Sequence, residues 1–197
     1  MKSAPITILI PTIPGREEML IRAIKSVNFQ TVQPAVTYII EQKTPEGMRP
    51  VDHLCWQMNS LLESVDTPYI MRLADDDWFE PNHIEAIWQT IYLTKGYYKL
   101  YYAYDKENHI PRYDSSLLTR EQLEDKLTKE NWIDGTGTVV NYDALRTCGG
   151  FQVGYKPYED WDTWLSMSHY MGFRTKCIPL QTWHAGRGSY ERIGGIK

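Results

Sequence analysis

Three consecutive carboxylates, Asp75, Asp76 and Asp77, stand directly after an apolar stretch at residues 68–73 (PYIMRL). Adjacent carboxylates repel one another, and without a cation each has its pKa raised by its neighbours. Placed beyond the end of a strand, they suit a hard divalent ion with oxygen ligands. A solvated acidic loop would explain an arbitrary Asp triplet. The apolar run before this one, and Trp78-Phe79 with a proline-started helix after it, favour a built site. A second acidic pair, Glu159-Asp160, lies in residues 158–165 (YEDWDTWL). A positioned carboxylate can take the proton from an attacking hydroxyl, although an ordinary acidic helix start would also account for Asp160 and Asp162. Near the end of the chain Arg187 and Arg192 stand among glycines. Guanidinium forks there match the oxygens of a diphosphate; a basic surface tail is the plain alternative.

To bring such distant residues together, the chain needs a particular order of elements. Residues 5–11 (PITILIP) form a β-branched run ended by proline, as a buried strand would be. Pro14-Gly15 makes a turn, and residues 16–29 read as a helix with Met19, Leu20, Ala23, Ile24 and Val27 on one face. Thr12 and Arg16 therefore fall in a strand-to-helix loop, where backbone N–H groups face a ligand. Residues 35–41 predict a second strand, closing on Glu41, and 51–65 a helix. Residues 68–73 predict a third strand that delivers the acidic triplet. Pro81 suits the first turn of a helix over 82–93. Strand and helix alternating three times predict an α/β fold, a mostly parallel sheet covered on both faces.

The second half is less regular. Strands are expected at 97–104, 135–141 and 175–182, with helices at 119–129 and within 157–171. Residues 183–197, rich in Gly and Arg, read as a loop that orders on a ligand. The GxG at Gly135 and Gly137 neither follows a strand nor opens a helix as a dinucleotide fingerprint requires. His53, His83, His109 and His169 lack a chemical context and read as structural. Without internal repeats or low-complexity tracts, one domain over 1–197 is expected.

Composition narrows the function classes. With 42% hydrophobic and 23% charged residues, the chain is that of a globular protein. Its formal charge of -4 leaves no net basic field to neutralise phosphates, which argues against nucleic acid as partner. Fourteen Tyr and seven Trp serve either carbohydrate sites or the core. Cys55, Cys148 and Cys177 are odd in number and widely spaced, which suits reduced thiols in a cytoplasmic setting. The N-terminal apolar stretch is broken by two prolines, too short and interrupted for a signal peptide, and no run approaches a membrane span.

Four segments, in order, resemble the GT-A glycosyltransferases, in particular the large inverting family 2. Residues 68–87 (PYIMRLADDDWFEPNHIEAI) resemble its DxD segment, residues 6–17 (ITILIPTIPGRE) its first strand and turn, residues 147–151 (TCGGF) its GGF element, and residues 158–165 its ED motif. The family's DxDD pattern meets Ala74 at its first position. The resemblance implies a GT-A fold, with a nucleotide-sugar-binding half at about 1–95 and an acceptor half at about 96–197. Pro11, Thr12, Arg16, Asp75, Asp76 and Arg187 are then nucleotide contacts, with Asp75 near the ribose, and Glu41 accepts a hydrogen bond from the uracil. Asp77 and His184 are the implied metal ligands, an imidazole that would favour Mn²⁺ over Mg²⁺. Asp160 is the implied base, with Glu159 beside it. The implied reaction moves a sugar from a UDP-sugar donor to a hydroxyl of a glycan or glycoprotein acceptor. The chain is small for the family, as a catalytic domain from a longer multidomain polypeptide would be. Two other classes stay open on the residues alone, a nucleotidyltransferase on a similar sheet and a non-enzymatic cation-dependent carbohydrate-binding module.

Overall fold

Strand β1 (Ser3–Thr12) carries Ile6, Ile8, Leu9 and Ile10, all buried. An apolar run of this kind occupies an inner strand of a sheet covered on both faces. In this computed structural model, which describes residues 3–107, 113–154, 158–169 and 173–186, it does so. Parallel partners flank it, β2 (Gln33–Glu41) on one side and β3 (Tyr69–Arg72) on the other. The sheet continues through β6 (Thr138–Asn141), β5 (Leu100–Asp105), β7 (Thr175–His184) and β4 (Trp78–Phe79), in the order β2-β1-β3-β6-β5-β7-β4. Only β6 and β4 run against the other strands.

Helices cover both faces. Helices α1 (Glu17–Asn28) and α3 (His83–Leu93) pack Ala23, Val27, Ile84, Ile87 and Ile91 against Ile6, Ile8 and Met71. On the other face lie α2 (Pro50–Leu62), α4 (Arg120–Lys129), α5 (Tyr142–Thr147) and α6 (Glu159–Ser168). There Leu54, Met58, Leu123, Leu145, Trp164 and Met167 meet Leu9, Ile70 and Val140. Strand alternation assigns the faces: Tyr69 and Met71 join the α1/α3 core, and Ile70 joins the other. Arg72 follows Ile70 by two and therefore faces α6. Local signals set several boundaries. Thr119 and Gln122 form a reciprocal capping box on α4, and the Asn141 side chain accepts from the Ala144 N–H at the start of α5.

The expected strands and helices are present, with three differences. Strand β4 and helix α5 were not anticipated; β4 has two residues and exists through its pairing with β7. Strand β7 runs on to His184, so Trp183 and His184 belong to the sheet and not to a loop. Trp183 is fully buried, and its indole donates to the Ala103 carbonyl at 3.1 Å. Among the described residues no helix is long and apolar enough to cross a membrane. Cys55, Cys148 and Cys177 are buried and unpaired, and burial pushes the Cys55 and Cys148 thiols up to about 12 and about 11.

Candidate functional site

Parallel strands β1 and β3 end side by side, and the loops that leave them open a cleft at the carboxyl edge of the sheet. Ligands of open α/β sheets bind at that edge. Pro11 and Thr12 line it from the end of β1 and Arg16 from the loop that follows, and Ala74 to Asp77 line it from the loop after β3. Pro50, Val51 and Leu54 of α2 supply an apolar wall. Glu159 and Asp160 face them from the start of α6, with Asp134 and Thr136 ahead of β6.

Each acid of the triplet has its own surroundings. Asp75 ties the two loops together, accepting from the Thr12 hydroxyl at 2.8 Å and pairing with Arg16 at 2.7 Å. Asp76 is buried, and its carbonyl accepts from Arg22, whose guanidinium lies 3.9 Å over the Trp78 ring. The Asp77 carboxyl accepts from the Thr136 hydroxyl and from the Gly186 N–H at 2.8 Å. Burial first, then the nearby Asp134 and Asp76, pushes it up to about 8. Asp76, Asp77 and Asp134 thus bring three carboxyl groups into one corner of the cleft. A Cβ at position 186 would stand 1.9 Å from the Asp76 carbonyl oxygen, so only glycine lets the end of β7 close on this turn.

Opposite the triplet, the Asp160 carboxylate is held by main-chain donors, Gly135 N–H at 2.9 Å and Trp161 N–H at 2.6 Å. Glu159 pairs with Arg72, as the strand alternation requires. A Cβ at position 135 would stand 2.8 Å from the end of the Arg72 guanidinium, so the chain passes closely between Arg72 and Asp160. The third acid of the turn, Asp162, accepts from Gly154 N–H at 2.8 Å.

Two of the expected residues stand outside the cleft lining. Glu41 pairs in register with Thr12, but its side chain is exposed and does not line the cleft. The next residue, Gln42, is buried and does, because neighbouring strand residues alternate in direction. His184 is not among the residues that line the cleft. Its ring stacks on Trp78 at 4.6 Å, and its nitrogens meet Glu107 at 2.6 Å and Glu80 at 2.7 Å. Both ring nitrogens are thus engaged by carboxylates. The hydrogen bond from His184 also holds the Glu80 carboxyl below its ordinary range. Arg187, Arg192 and His109 lie outside the described residues. Of the other histidines, His83 is stacked on Phe79 and bonded to Thr182, and burial pushes it down to about 3. His53 stacks on Trp56, and His169 meets Glu124.

Among the cleft residues that had escaped the sequence reading are Arg72, Asp134, Thr136 and Gln42. Arg72 did carry a signal, a charge inside an otherwise apolar strand. Asp134 and Thr136 stand in DGTG, which fails as a nucleotide fingerprint and serves instead as a close passage between Arg72 and Asp160.

The fold resembles that of Staphylococcus aureus TarS. A TarS 1-349 crystal structure superposes with a TM-score of 0.65 at 12% identity, covering 94% of this chain and 62% of that one. TarS 1-349 in complex with UDP gives 0.64 at 11% identity, covering 91% and 60%. Its complex with UDP-GlcNAc gives 0.63 at 12%, covering 91% and 58%. The chain thus spans about three fifths of the TarS 1-349 structures. No protein-family model matches the chain, and neither does any curated protein. The architecture is a GT-A-like α/β fold, with a mostly parallel seven-stranded sheet between helices.

Proposed function

We propose that the cleft binds a nucleoside diphosphate sugar, with UDP as its nucleotide, and passes the sugar to a hydroxyl of a glycan or glycoprotein acceptor. One observation carries the reading: an acidic turn with a buried carboxyl pushed up to about 8 and a rigidly held carboxylate face each other across one cleft. The TarS complexes with UDP and UDP-GlcNAc, on the same fold, support the choice of ligand. The four motif segments agree with it.

A divalent cation fits the acidic turn. Asp77 is 4% exposed and sits beside Asp76 and Asp134. Among the described residues no three His, Cys, Asp or Glu side chains converge as a closed cage. Magnesium and manganese sites in nucleotide enzymes use one or two carboxylates plus phosphate oxygens, so a closed cage is not required. Asp77 would hold the ion, with Asp76 and Asp134 beside it; all three offer oxygen, which gives no reason to prefer Mn²⁺ over Mg²⁺. When bound, the cation supplies a Lewis acid that neutralises the diphosphate leaving group.

The rest falls to the chain's own residues. Thr12 and Arg16, fixed by Asp75, present the first loop to the nucleotide. Asp160 takes the proton from the acceptor hydroxyl as that oxygen attacks the anomeric carbon. A carboxylate held by main-chain donors keeps its orientation through the reaction. Glu159 neutralises Arg72, and so fixes the start of α6. A single displacement needs no covalent sugar–protein intermediate.

The test is release of UDP from a panel of UDP-sugars, with and without acceptors, in Mg²⁺ or Mn²⁺. Asp160→Asn should lower turnover by about a hundredfold or more while UDP affinity stays within about threefold, as for a group used only in the transition state. Near-native turnover in Asp160→Asn would remove Asp160 from the mechanism.

A further inference from the structure

At the opposite end of the sheet from the cleft, where β5 and β7 begin, the surface has another character. Residues 86–104 and 163–186 contain no Asp or Glu, in a chain whose formal charge is -4. They do contain Lys95, Lys99, Arg174 and Lys176, and the parallel pairing of β5 with β7 brings these side by side: Lys99 N–H donates to the Arg174 carbonyl at 2.9 Å. The Arg174 guanidinium lies 5.0 Å over the Tyr97 ring, and the Lys176 ammonium 5.9 Å over Tyr98. Against this basic group stands an apolar tip on the last turn of α3 and the loop after it. Leu93 is 79% exposed, Tyr92 66% and Tyr97 55%. Between them Lys95 holds a left-handed backbone, φ 51°, a conformation that glycine adopts more readily.

We infer that this end of the molecule docks on an anionic phospholipid bilayer, with Lys95, Lys99, Arg174 and Lys176 over the headgroups and Leu93, Tyr92 and Tyr97 at the interface. Charge complementarity selects an anionic partner, and the apolar tip selects among anionic partners. A soluble polyanion would engage the charges alone and leave Leu93 and Tyr92 in water. A bilayer interface takes both, since aromatic rings settle at headgroup level and each basic residue near the surface adds to binding. Because the cleft lies at the far, carboxyl end of the same strands, docking in this way leaves it open. The inference does not depend on what the cleft does.

Sedimentation with phosphatidylcholine vesicles, with and without about one third phosphatidylglycerol, tests it. The native chain should bind the anionic vesicles, weakly the neutral ones, and less as salt rises. Lys95→Gly combined with Arg174→Gln should lower the partition constant about tenfold or more, from the usual contribution of each basic residue. Lys95→Gly relieves the left-handed backbone, so lost binding there does not report misfolding. Leu93→Ser should lower binding about threefold without changing charge. Circular dichroism of both variants should match the native chain. Failure of the native chain to bind anionic vesicles would overturn the proposal, as would native-like binding by the double variant. So would an unaffected Leu93→Ser together with equally tight binding of soluble polyglutamate, which would assign the face to an acidic macromolecule. Concentration-dependent dimerisation lost in the double variant would assign it to a second copy, and would also overturn the proposal.

Discussion

Asp77 is the residue whose surroundings ask most for a partner. Burial and the neighbouring Asp134 and Asp76 raise its carboxyl to about 8, so in the folded chain it keeps a proton that the unfolded chain releases near pH 4. The folded state binds the extra proton between about pH 4 and 8, and stability therefore falls as pH rises through that window. Asp77→Asn should remove this slope, so that its melting temperature relative to the native chain rises from pH 5 to pH 8. A constant difference across that range would contradict the assignment. His184 makes the complementary case. Held between Glu80 and Glu107, it should matter for stability and not for the cation. His184→Gln should cost about 1–2 kcal/mol in urea unfolding, as for partly exposed charge-assisted hydrogen bonds. It should leave the relative effects of Mg²⁺ and Mn²⁺ on UDP affinity unchanged. A shift in metal preference would return His184 to the site.

Elements, more than single side chains, hold the two halves of the cleft in place. The end of β7 docks on the acidic turn through Gly186, and there is no room for a side chain. Gly186→Ala should push β7 away from Asp76, break the bond from Gly186 N–H to Asp77, and destabilise the chain by about 2 kcal/mol or more. UDP affinity should fall with it. Unchanged UDP affinity would show that this contact does not shape the site. On the other side, α6 is pinned to β3 by Arg72 and Glu159, both largely buried. Removing one partner leaves the other charge unpaired, so Arg72→Met should cost about 3 kcal/mol. Adding Glu159→Gln should recover part of that loss, and additive costs in the double variant would exclude the coupling.

At the scale of the molecule, the order of strands and helices was legible because β1, β2 and β3 and the helices between them follow strong apolar periods. The place of the acidic turn at the carboxyl edge was legible too, since it follows closely on the apolar run that forms β3. What stayed hidden depended on distant partners. Strand β4 is two residues long and pairs with the far end of the chain, a contact no local pattern announces. Glu41 and Gln42 differ only in the phase of strand alternation, and the last strand residue proved to face away from the cleft. His184 looked like a ligand because it stands near the acidic turn in the sheet, but its nitrogens were claimed by Glu80 and Glu107, residues about 80 to 100 positions away in sequence. Asp134 could be found only by folding the chain.

A calorimetric titration of UDP at pH 7, with Mg²⁺ and then with EDTA, tests the central claim most directly. Two anionic partners, the acidic turn and the diphosphate, repel each other until a cation joins them. The account predicts UDP binding at least about tenfold tighter with Mg²⁺, a gain worth about 1.4 kcal/mol, and loss of that gain in Asp77→Asn. Equal affinity with and without the cation, or no UDP binding at all, would contradict it.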